Sequence, residues 1–255
     1  MEGSYRSFAD NIEELAKDWA SKCCSSETWD DLGWFGGSES RPFRVSNQMI
    51  IGLAKPGMQK TDGIPRAAHE KIASDLAFEL GLPVPPVILW DRESTGESNR
   101  ERYVAISAWA FTPALSWDEG SRSLSEDNRK QASVVVSAML PFETWISAQD
   151  RKSDHLLIKV VDGRLQVAFI DYAFSLSQSW PGVDANVGQS PSYVPVTRDN
   201  AAIGAISDSI LNVGNEKIKT ILERIPNEYL PQTRREIIIA NLLSRRDKIK
   251  RLMGL

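Results

Sequence analysis

Four side chains with carboxylate or imidazole groups stand in one short stretch of the chain, at Asp150, Asp154, His155 and Asp171. Between His155 and Asp171, two apolar runs flank Asp162-Gly163, a dipeptide that suits a two-residue type I′ hairpin turn. With that turn Asp154 lies opposite Asp171, and directly opposed residues are about 5 Å apart. Carboxylates this close repel each other unless a cation lies between them. The pattern therefore predicts a divalent metal held by Asp171, His155 and Asp154.

The order of these residues is that of a kinase catalytic loop. Such a loop carries an Asp that accepts the substrate proton and, about five residues on, a metal ligand; a second metal-binding Asp follows on a later strand. Asp150, His155 and Asp171 fit these three places in turn. The spacing predicts phosphoryl transfer with Asp150 as the catalytic base.

The same stretch resembles the HipA-like kinases, which belong to the phosphatidylinositol 3-/4-kinase-like and protein-kinase-like superfamily. The run from Asp150, DRKSDHLL, is similar to their D-R-x-x-x-N followed by two hydrophobic residues, and IDYA around Asp171 is similar to their metal motif. FETWI, just upstream, looks like the family's lead into the loop. The resemblance implies that Lys152 contacts the transferring phosphoryl group.

The sequence departs from that family at His155, which stands where the family has a metal-binding Asn. Imidazole suits manganese or softer transition metals better than magnesium, which prefers oxygen ligands. The expected metal is therefore Mg²⁺ or Mn²⁺, with Asp154 as a substitute ligand.

The elements before the loop supply the other half of a nucleotide site. A strand from Phe43 to Lys55 is followed by a helix that begins at Pro65 and stops at Gly81, both typical boundary residues. Glu70 faces inward on that helix, where a carboxylate needs a partner. A strand lysine paired with a helix glutamate fixes the α- and β-phosphates of ATP in kinases, so Lys55 and Glu70 are predicted to form this pair.

Two further segments are candidates for contact with ATP. The loop Gly33–Pro42, with Ser38 and Ser40, has the small residues that let backbone amides approach phosphates; a plain hairpin turn is the alternative. Strands at 87–91 and 102–109 lead into a hinge, where backbone groups around Ala108 and Ala110 are expected to meet adenine.

The predicted fold is α+β and two-lobed, like a protein kinase. An N-lobe over residues 1–110 would hold a small antiparallel sheet, one main helix and an N-terminal helix at about 8–22. A helical C-lobe over 111–255 would carry the catalytic loop and the metal motif. A capping box at Ser123-Glu126 is expected to open the helix that leads to Asp150.

The composition limits the class of protein, its partners and its cellular compartment. The chain has 255 residues, 42% of them apolar, and a net charge of −4, which is ordinary for a soluble protein and argues against duplex nucleic acid as a partner. Its two cysteines, Cys23 and Cys24, are adjacent, so a disulfide framework is excluded and a reducing cytoplasm is favoured. The sequence shows no signal peptide or membrane-spanning run.

These observations favour an ATP-dependent kinase that transfers the γ-phosphoryl group to a hydroxyl. The family resemblance implies a protein Ser/Thr acceptor in a toxin or regulatory setting, with a cognate regulatory protein as a partner. A small-molecule or lipid acceptor stays open. So do a kinase fold that has lost turnover and only binds nucleotide or partner, a metal-dependent hydrolase, and a charged turn without activity.

Overall fold

The structure is a computed structural model, and it combines a sheet-rich N-terminal part with a helical C-terminal part. This arrangement confirms the predicted α+β class. Within the described ranges, no helix combines the length and apolar character needed to cross a bilayer. The residues that the structure describes are 5–6, 8, 10–25, 27–36, 42–47, 50–56, 60–61, 64–91, 103–111, 114–176 and 194–255.

The N-terminal part is built on a six-stranded sheet with the order β1-β7-β8-β4-β3-β2. Neighbouring strands are antiparallel, except that β1 pairs with β7 in parallel. A separate pair, β5 and β6, lies just before the main helix. The strands are β1 (Cys24–Ser25), β2 (Asp30–Trp34), β3 (Phe43–Asn47), β4 (Ile50–Pro56), β5 (Lys60–Thr61), β6 (Ile64–Pro65), β7 (Val87–Asp91) and β8 (Tyr103–Ala108).

The single strand predicted from Phe43 to Lys55 is wrong, because this segment forms two strands. β3 and β4 pair antiparallel with Phe43 opposite Ala54 and Asn47 opposite Ile50. The polar residues Ser46 and Asn47 end the first apolar run and are the last two residues of β3, where they pair with Ile51 and Ile50. Lys55 is placed on β4 next to the central strand β8.

The described residues of this part form two helices, α1 (Asp10–Ser21) and α2 (Arg66–Glu79). As predicted, α2 begins after Pro65 and ends before Gly81, whose φ of 66° suits glycine. It packs on β7 and β8 and contacts α1 and the C-terminal helix α6. Its residues from Ala67 to Ala77 are buried all round, so polar groups on this helix require specific partners.

The C-terminal part holds a three-stranded sheet and six helices among the described residues. The hairpin strands β10 and β11 have the predicted register, and Asp162 and Gly163 both have positive φ, 50° and 77°, as a type I′ turn requires. The elements are β9 (Leu115–Ser116), α3 (Trp117–Gly120), α4 (Glu126–Trp145), β10 (Leu156–Val161), β11 (Arg164–Phe169), α5 (Asn200–Leu211), α6 (Asn215–Glu223), α7 (Gln232–Arg246) and α8 (Ile249–Met253).

Helix α4 does not begin with the predicted capping box at Ser123. Its N-cap is Ser125, whose hydroxyl accepts a hydrogen bond from the Asn128 N–H at 3.2 Å. Ser123 instead donates to the Gly120 carbonyl at 2.8 Å, within a short 3₁₀ turn. Glu126 is therefore the first helical residue, where its carboxylate interacts favourably with the positive end of the helix dipole.

Candidate functional site

The catalytic-loop stretch lies beside the segment that follows Asp171. Gln149 N–H donates to the Phe174 carbonyl at 2.9 Å, and Leu176 N–H donates to the Ile146 carbonyl at 2.8 Å. These two bonds join the chain just before Asp150 to the segment just after Asp171. Asp150 and Asp171 adopt left-handed backbone conformations, with φ of 55° and 66°, which are uncommon for residues other than glycine and concentrate at functional sites.

Lys55 and Glu70 form the predicted ion pair, with Nζ 2.7 Å from Oε1. The same ammonium lies 3.3 Å from an oxygen of Asp171. Burial would lower the pKa of Lys55, but the Glu70 and Asp171 carboxylates outweigh it and raise that pKa. Burial would likewise raise the pKa of Asp171, yet Lys55, His155 and Arg151 hold it at about 2. The site therefore presents a charged lysine beside a charged aspartate.

Helix α2 is fastened to the segment after Asp171 by two consecutive side chains. The second oxygen of Glu70 accepts a hydrogen bond from the Tyr172 N–H at 3.1 Å. The Nδ1 of His69 donates to the Ser175 carbonyl. Glu70 thus joins the strand lysine to the backbone that presents Asp171.

Arg151 was not identified from the sequence, although it stands at the centre of the site. Its Nη1 donates to the Ile170 and Asp171 carbonyls, each at 2.8 Å. Its Nε lies 2.9 Å from the Glu143 carboxylate, and both side chains are less than a tenth exposed. The guanidinium also stacks over the Tyr172 ring, 4.3 Å from its centroid. Arg151 therefore ties the catalytic loop to α4 and to the metal motif.

His155 and Asp154 lie near Asp171, but less tightly than the hairpin register suggested. The Nε2 of His155 is 3.9 Å from Asp171 Oδ2 and 3.7 Å from Asp154 Oδ1. Strand pairing ends at Leu156–Phe169, and Asp154 sits in a 3₁₀ turn with its side chain 64% exposed. Across the described ranges, no three His, Cys, Asp or Glu side chains stand ready to hold a metal. The ligand set of Asp171, His155 and Asp154 stays a prediction.

Asp150 and Lys152, the predicted catalytic pair, contact each other at the exposed edge of the site. Lys152 Nζ lies 3.2 Å from Asp150 Oδ2. The hydrogen bond from Lys152 to Asp150 raises the pKa of the lysine. Ser153 donates to Asp118 at 2.6 Å and so anchors the loop to α3.

A pocket of about 200 Å³ opens beside Lys55. One end is polar and is lined by Lys55, Glu70 and Asp171. The other end is apolar, and there the rings of Phe35 and Trp109 meet edge to face with centroids 5.4 Å apart.

The hinge backbone lines the apolar end of this pocket. Ala108 N–H donates to the Pro86 carbonyl at 2.9 Å, and Trp109 N–H donates to the Ile51 carbonyl at 3.0 Å. Within the described chain, the Ala110 backbone makes no hydrogen bond. Ser38 and Ser40 of the predicted phosphate loop lie outside the described residues.

Solved structures with the same architecture are kinases or kinase-fold proteins. The proinflammatory kinase CtkA of Helicobacter pylori superposes with a TM-score of 0.57 at 13% identity, covering 91% of this chain and 97% of its own. Hydra Fam20, solved with sugar, also gives 0.57 at 13% identity, covering 100% and 93%.

The HipA protein of a Shewanella oneidensis MR-1 toxin–antitoxin system, solved with HipB and operator DNA, gives a TM-score of 0.52 at 10% identity, covering 95% of this chain and 73% of its own. No protein-family profile and no curated protein sequence matches the chain. These likenesses show that the chain has a kinase-like fold.

Proposed function

We propose that the protein is an ATP-dependent kinase that transfers the γ-phosphoryl group to a hydroxyl acceptor. The observation that carries this proposal is the ammonium of Lys55, held 2.7 Å from Glu70 and 3.3 Å from Asp171 at the polar end of the pocket. In kinases, an ammonium held between a helix carboxylate and the metal-binding carboxylate contacts the α- and β-phosphates of ATP.

The other end of the pocket suits adenine. In an antiparallel hydrogen-bonded pair, the N–H of each residue donates to the carbonyl of the other. The Pro86 carbonyl accepts a hydrogen bond from the Ala108 N–H, but Pro86 has no N–H with which to donate to the Ala108 carbonyl. The Ala108 carbonyl is thereby left as an acceptor, two residues before the Ala110 N–H. Adenine carries an amino donor next to a ring-nitrogen acceptor, so this acceptor and donor match its edge.

The charges around Asp171 fit a divalent cation. Asp171 is ionised, and burial followed by the nearby Arg151 lowers the pKa of His155, so its imidazole is neutral and able to ligate. Asp171, His155 and Asp154 would hold Mg²⁺ or Mn²⁺. When bound, the metal neutralises the charge of the transferring phosphoryl group.

In the proposed chemistry Asp150 accepts the proton of the acceptor hydroxyl, and the hydroxyl oxygen bonds to the γ-phosphorus as the bond to the β-γ bridging oxygen breaks. Lys152 lies close enough to Asp150 to stabilise the charge on the transferring group. Orientation and electrostatic stabilisation supply most of the catalysis in this class of reaction.

For the acceptor we propose a protein Ser or Thr in a cytoplasmic regulatory setting, with a cognate regulatory protein as partner. This part rests on the resemblance to HipA-like kinases. Cys23 and Cys24 form no disulfide, which agrees with a reducing compartment.

Calorimetric titration of ATP, with Mg²⁺ and then with Mn²⁺, tests the nucleotide site. We expect metal-dependent binding that Asp171→Ala weakens at least tenfold, whereas Asp127→Ala, which removes an exposed carboxylate of α4, leaves it unchanged. Asp150→Asn should keep binding but slow phosphoryl transfer about 100-fold or more. If the native protein binds no nucleotide with either metal, the proposal is wrong.

A kinase fold that binds nucleotide without turnover is the second candidate, and His155 is the observation that favours it. An imidazole stands at the position where the resembling kinases have Asn. The His155→Asn variant decides between an active kinase and a kinase fold without turnover. If turnover has been lost, the variant should show phosphoryl transfer that the native protein lacks. In a working kinase it should lower transfer or leave it nearly unchanged.

A further inference from the structure

Residues 5–6 and 10–25 make several contacts with α2. Tyr5 and Arg6 N–H groups donate to the Gly81 carbonyl at 2.9 and 3.2 Å, and Arg6 Nη1 donates to the Phe78 carbonyl at 3.2 Å. These bonds satisfy carbonyls at the C-terminal end of α2, which a helix leaves without internal partners. Helix α1 packs along α2 and β7, and β1 extends the sheet beside β7.

A buried lysine joins the end of α1 to the middle of α2. Lys71 is completely buried, and its Nζ donates to the Trp19 carbonyl and to Asp75 Oδ1, each at 2.7 Å. The Trp19 carbonyl belongs to the last turn of α1, so Lys71 supplies a partner that the helix cannot. Such a buried ion pair adds little net stability but penalises any arrangement that breaks it. It therefore fixes how α1 lies on α2.

A second cation attaches this junction to the C-terminal part. Arg224, at the end of α6, donates to the Ala20 and Ser21 carbonyls at 2.5 and 3.2 Å. Nearby, Lys217 of α6 forms a 3.0 Å ion pair with Glu79 of α2 that is largely exposed. The end of α1 is thus clamped between α2 and α6.

The attachments of α2 to the pocket and to α1 come from two consecutive residues. Glu70 reaches Lys55 and the Tyr172 N–H, whereas Lys71 reaches α1. Consecutive residues on a helix point in directions about 100° apart, so α2 is held on two faces. Rotation of α2 that released Glu70 from Lys55 would also pull Lys71 out of its buried contacts.

We propose that residues 5–6 and 10–25, held by Lys71 and Arg224, form a built-in brace that keeps α2 in the position where Glu70 meets Lys55. Lys71 and Arg224 are positioning residues, which act on the nucleotide only through Glu70 and Lys55. In protein kinases, the position of this helix controls activity. In this protein, other residues of the same chain hold the helix in place. The effect on ATP rests on the proposed function, whereas the mechanical effect on α2 does not.

The test uses full-length Lys71→Met and Arg224→Met, with Lys217→Met as the control because it removes an exposed cation that pairs with α2 rather than with α1. Amide hydrogen exchange of residues 66–79 and 126–145 is followed by mass spectrometry, and the Kd for ATP with Mn²⁺ is measured on the same samples. We expect exchange in 66–79 to rise at least tenfold in both brace variants, with 126–145 and the control unchanged, and the Kd to rise at least tenfold. Arg224→Lys should restore part of both effects.

If Lys71→Met does not fold, Arg224→Met decides alone, since its side chain is only partly buried. Unchanged exchange in 66–79 overturns the brace, and so does an equal rise in every helix, which is global destabilisation. Faster exchange in 66–79 with an unchanged Kd overturns the positioning role. If the native protein binds no ATP, the proposed function fails, while the exchange of 66–79 still decides whether the brace exists.

Discussion

The Arg151 guanidinium lies 2.9 Å from the Glu143 carboxylate, and the exposed fractions of the two side chains are only 6% and 8%. Because Arg151 directly follows Asp150 and also binds the Asp171 carbonyl, this one buried pair sets the position of both candidate catalytic carboxylates. The pair is the structural link between α4, the catalytic loop and the metal motif.

Replacing Arg151 should destabilise the protein more than any loss of an exposed charge. Arg151→Met leaves the Glu143 carboxylate buried without its cation, a change that costs about 3–5 kcal/mol of unfolding free energy. Urea denaturation of Arg151→Met, of Glu143→Leu and of the double variant measures the effect. The double variant should recover part of the loss, because no charge is then left alone.

Arg151→Lys should not restore stability, since an ammonium cannot make the forked contacts to two carbonyls and a carboxylate. Lys130→Met, which breaks an exposed pair with Glu126, serves as the control and should cost less than about 1 kcal/mol. Equal losses of unfolding free energy in Arg151→Met and Lys130→Met would show that the buried pair of Arg151 and Glu143 contributes no more to stability than an exposed pair.

Asp75 should make stability fall as pH rises through the mildly acidic range. Burial raises the pKa of Asp75 from 3.8 to about 6, against the opposing effect of Lys71. Between about pH 4 and pH 6 the folded protein keeps a proton that the unfolded chain has released, so the free energy of unfolding decreases with pH, by up to roughly 3 kcal/mol in total. Denaturation of the native protein and Asp75→Asn at several pH values between 4 and 7 isolates this contribution as the difference between the curves.

Asp127→Asn is the matched control for Asp75, because that carboxylate is exposed on α4. Its curve should run parallel to that of the native protein over the whole range. Parallel curves for Asp75→Asn as well would mean that Asp75 has an ordinary pKa in the folded state.

Lys55→Met should reduce the affinity for ATP at least tenfold. The substitution removes the ammonium that Glu70 and Asp171 orient toward the polar end of the pocket, and it leaves these two carboxylates facing the phosphates without that cation. Calorimetry at fixed Mn²⁺ concentration measures the loss. Lys219→Met, on the exposed side of α6, should bind ATP like the native protein. If Lys55→Met also bound ATP with native affinity, Lys55 would not belong to the nucleotide site.

His155→Asn should shift the metal preference toward magnesium. An amide oxygen is a harder ligand than an imidazole nitrogen, and magnesium prefers oxygen ligands. The ratio of the ATP dissociation constants with Mg²⁺ and with Mn²⁺ is expected to fall severalfold in the variant. A ratio that does not move would indicate that His155 does not ligate the metal.

The parts of the site that could be predicted are those set by local chemistry. The β10–β11 register follows from the two turn residues Asp162 and Gly163, and the contact between Lys55 and Glu70 follows from an inward carboxylate on a helix with clear boundaries. The break between β3 and β4 was missed because apolar residues alternate on both sides of it, and the polar residues Ser46 and Asn47 that interrupt this alternation also occur within strands.

The role of Arg151 could not be read from the sequence, since its partners come from three separate segments. An arginine in a charged loop is usually solvated, and only the packing of α4 against residues 170–172 buries it with Glu143. A buried glutamate on an apolar helix face was the one available signal. The start of α4 was misplaced because Ser123 and Ser125 are both capable caps, and the preceding 3₁₀ turn decides between them.

The contact of Arg224 with Ala20 spans 204 positions of the chain. Contacts this distant in sequence form late, because the loop between them must close first. A ribosome that has made α2, the pocket and the catalytic loop has not yet made the residue that clamps α1. The nascent chain therefore acquires its site in two stages, and the pocket beside Lys55 gains its support only after the chain up to Arg224 has emerged.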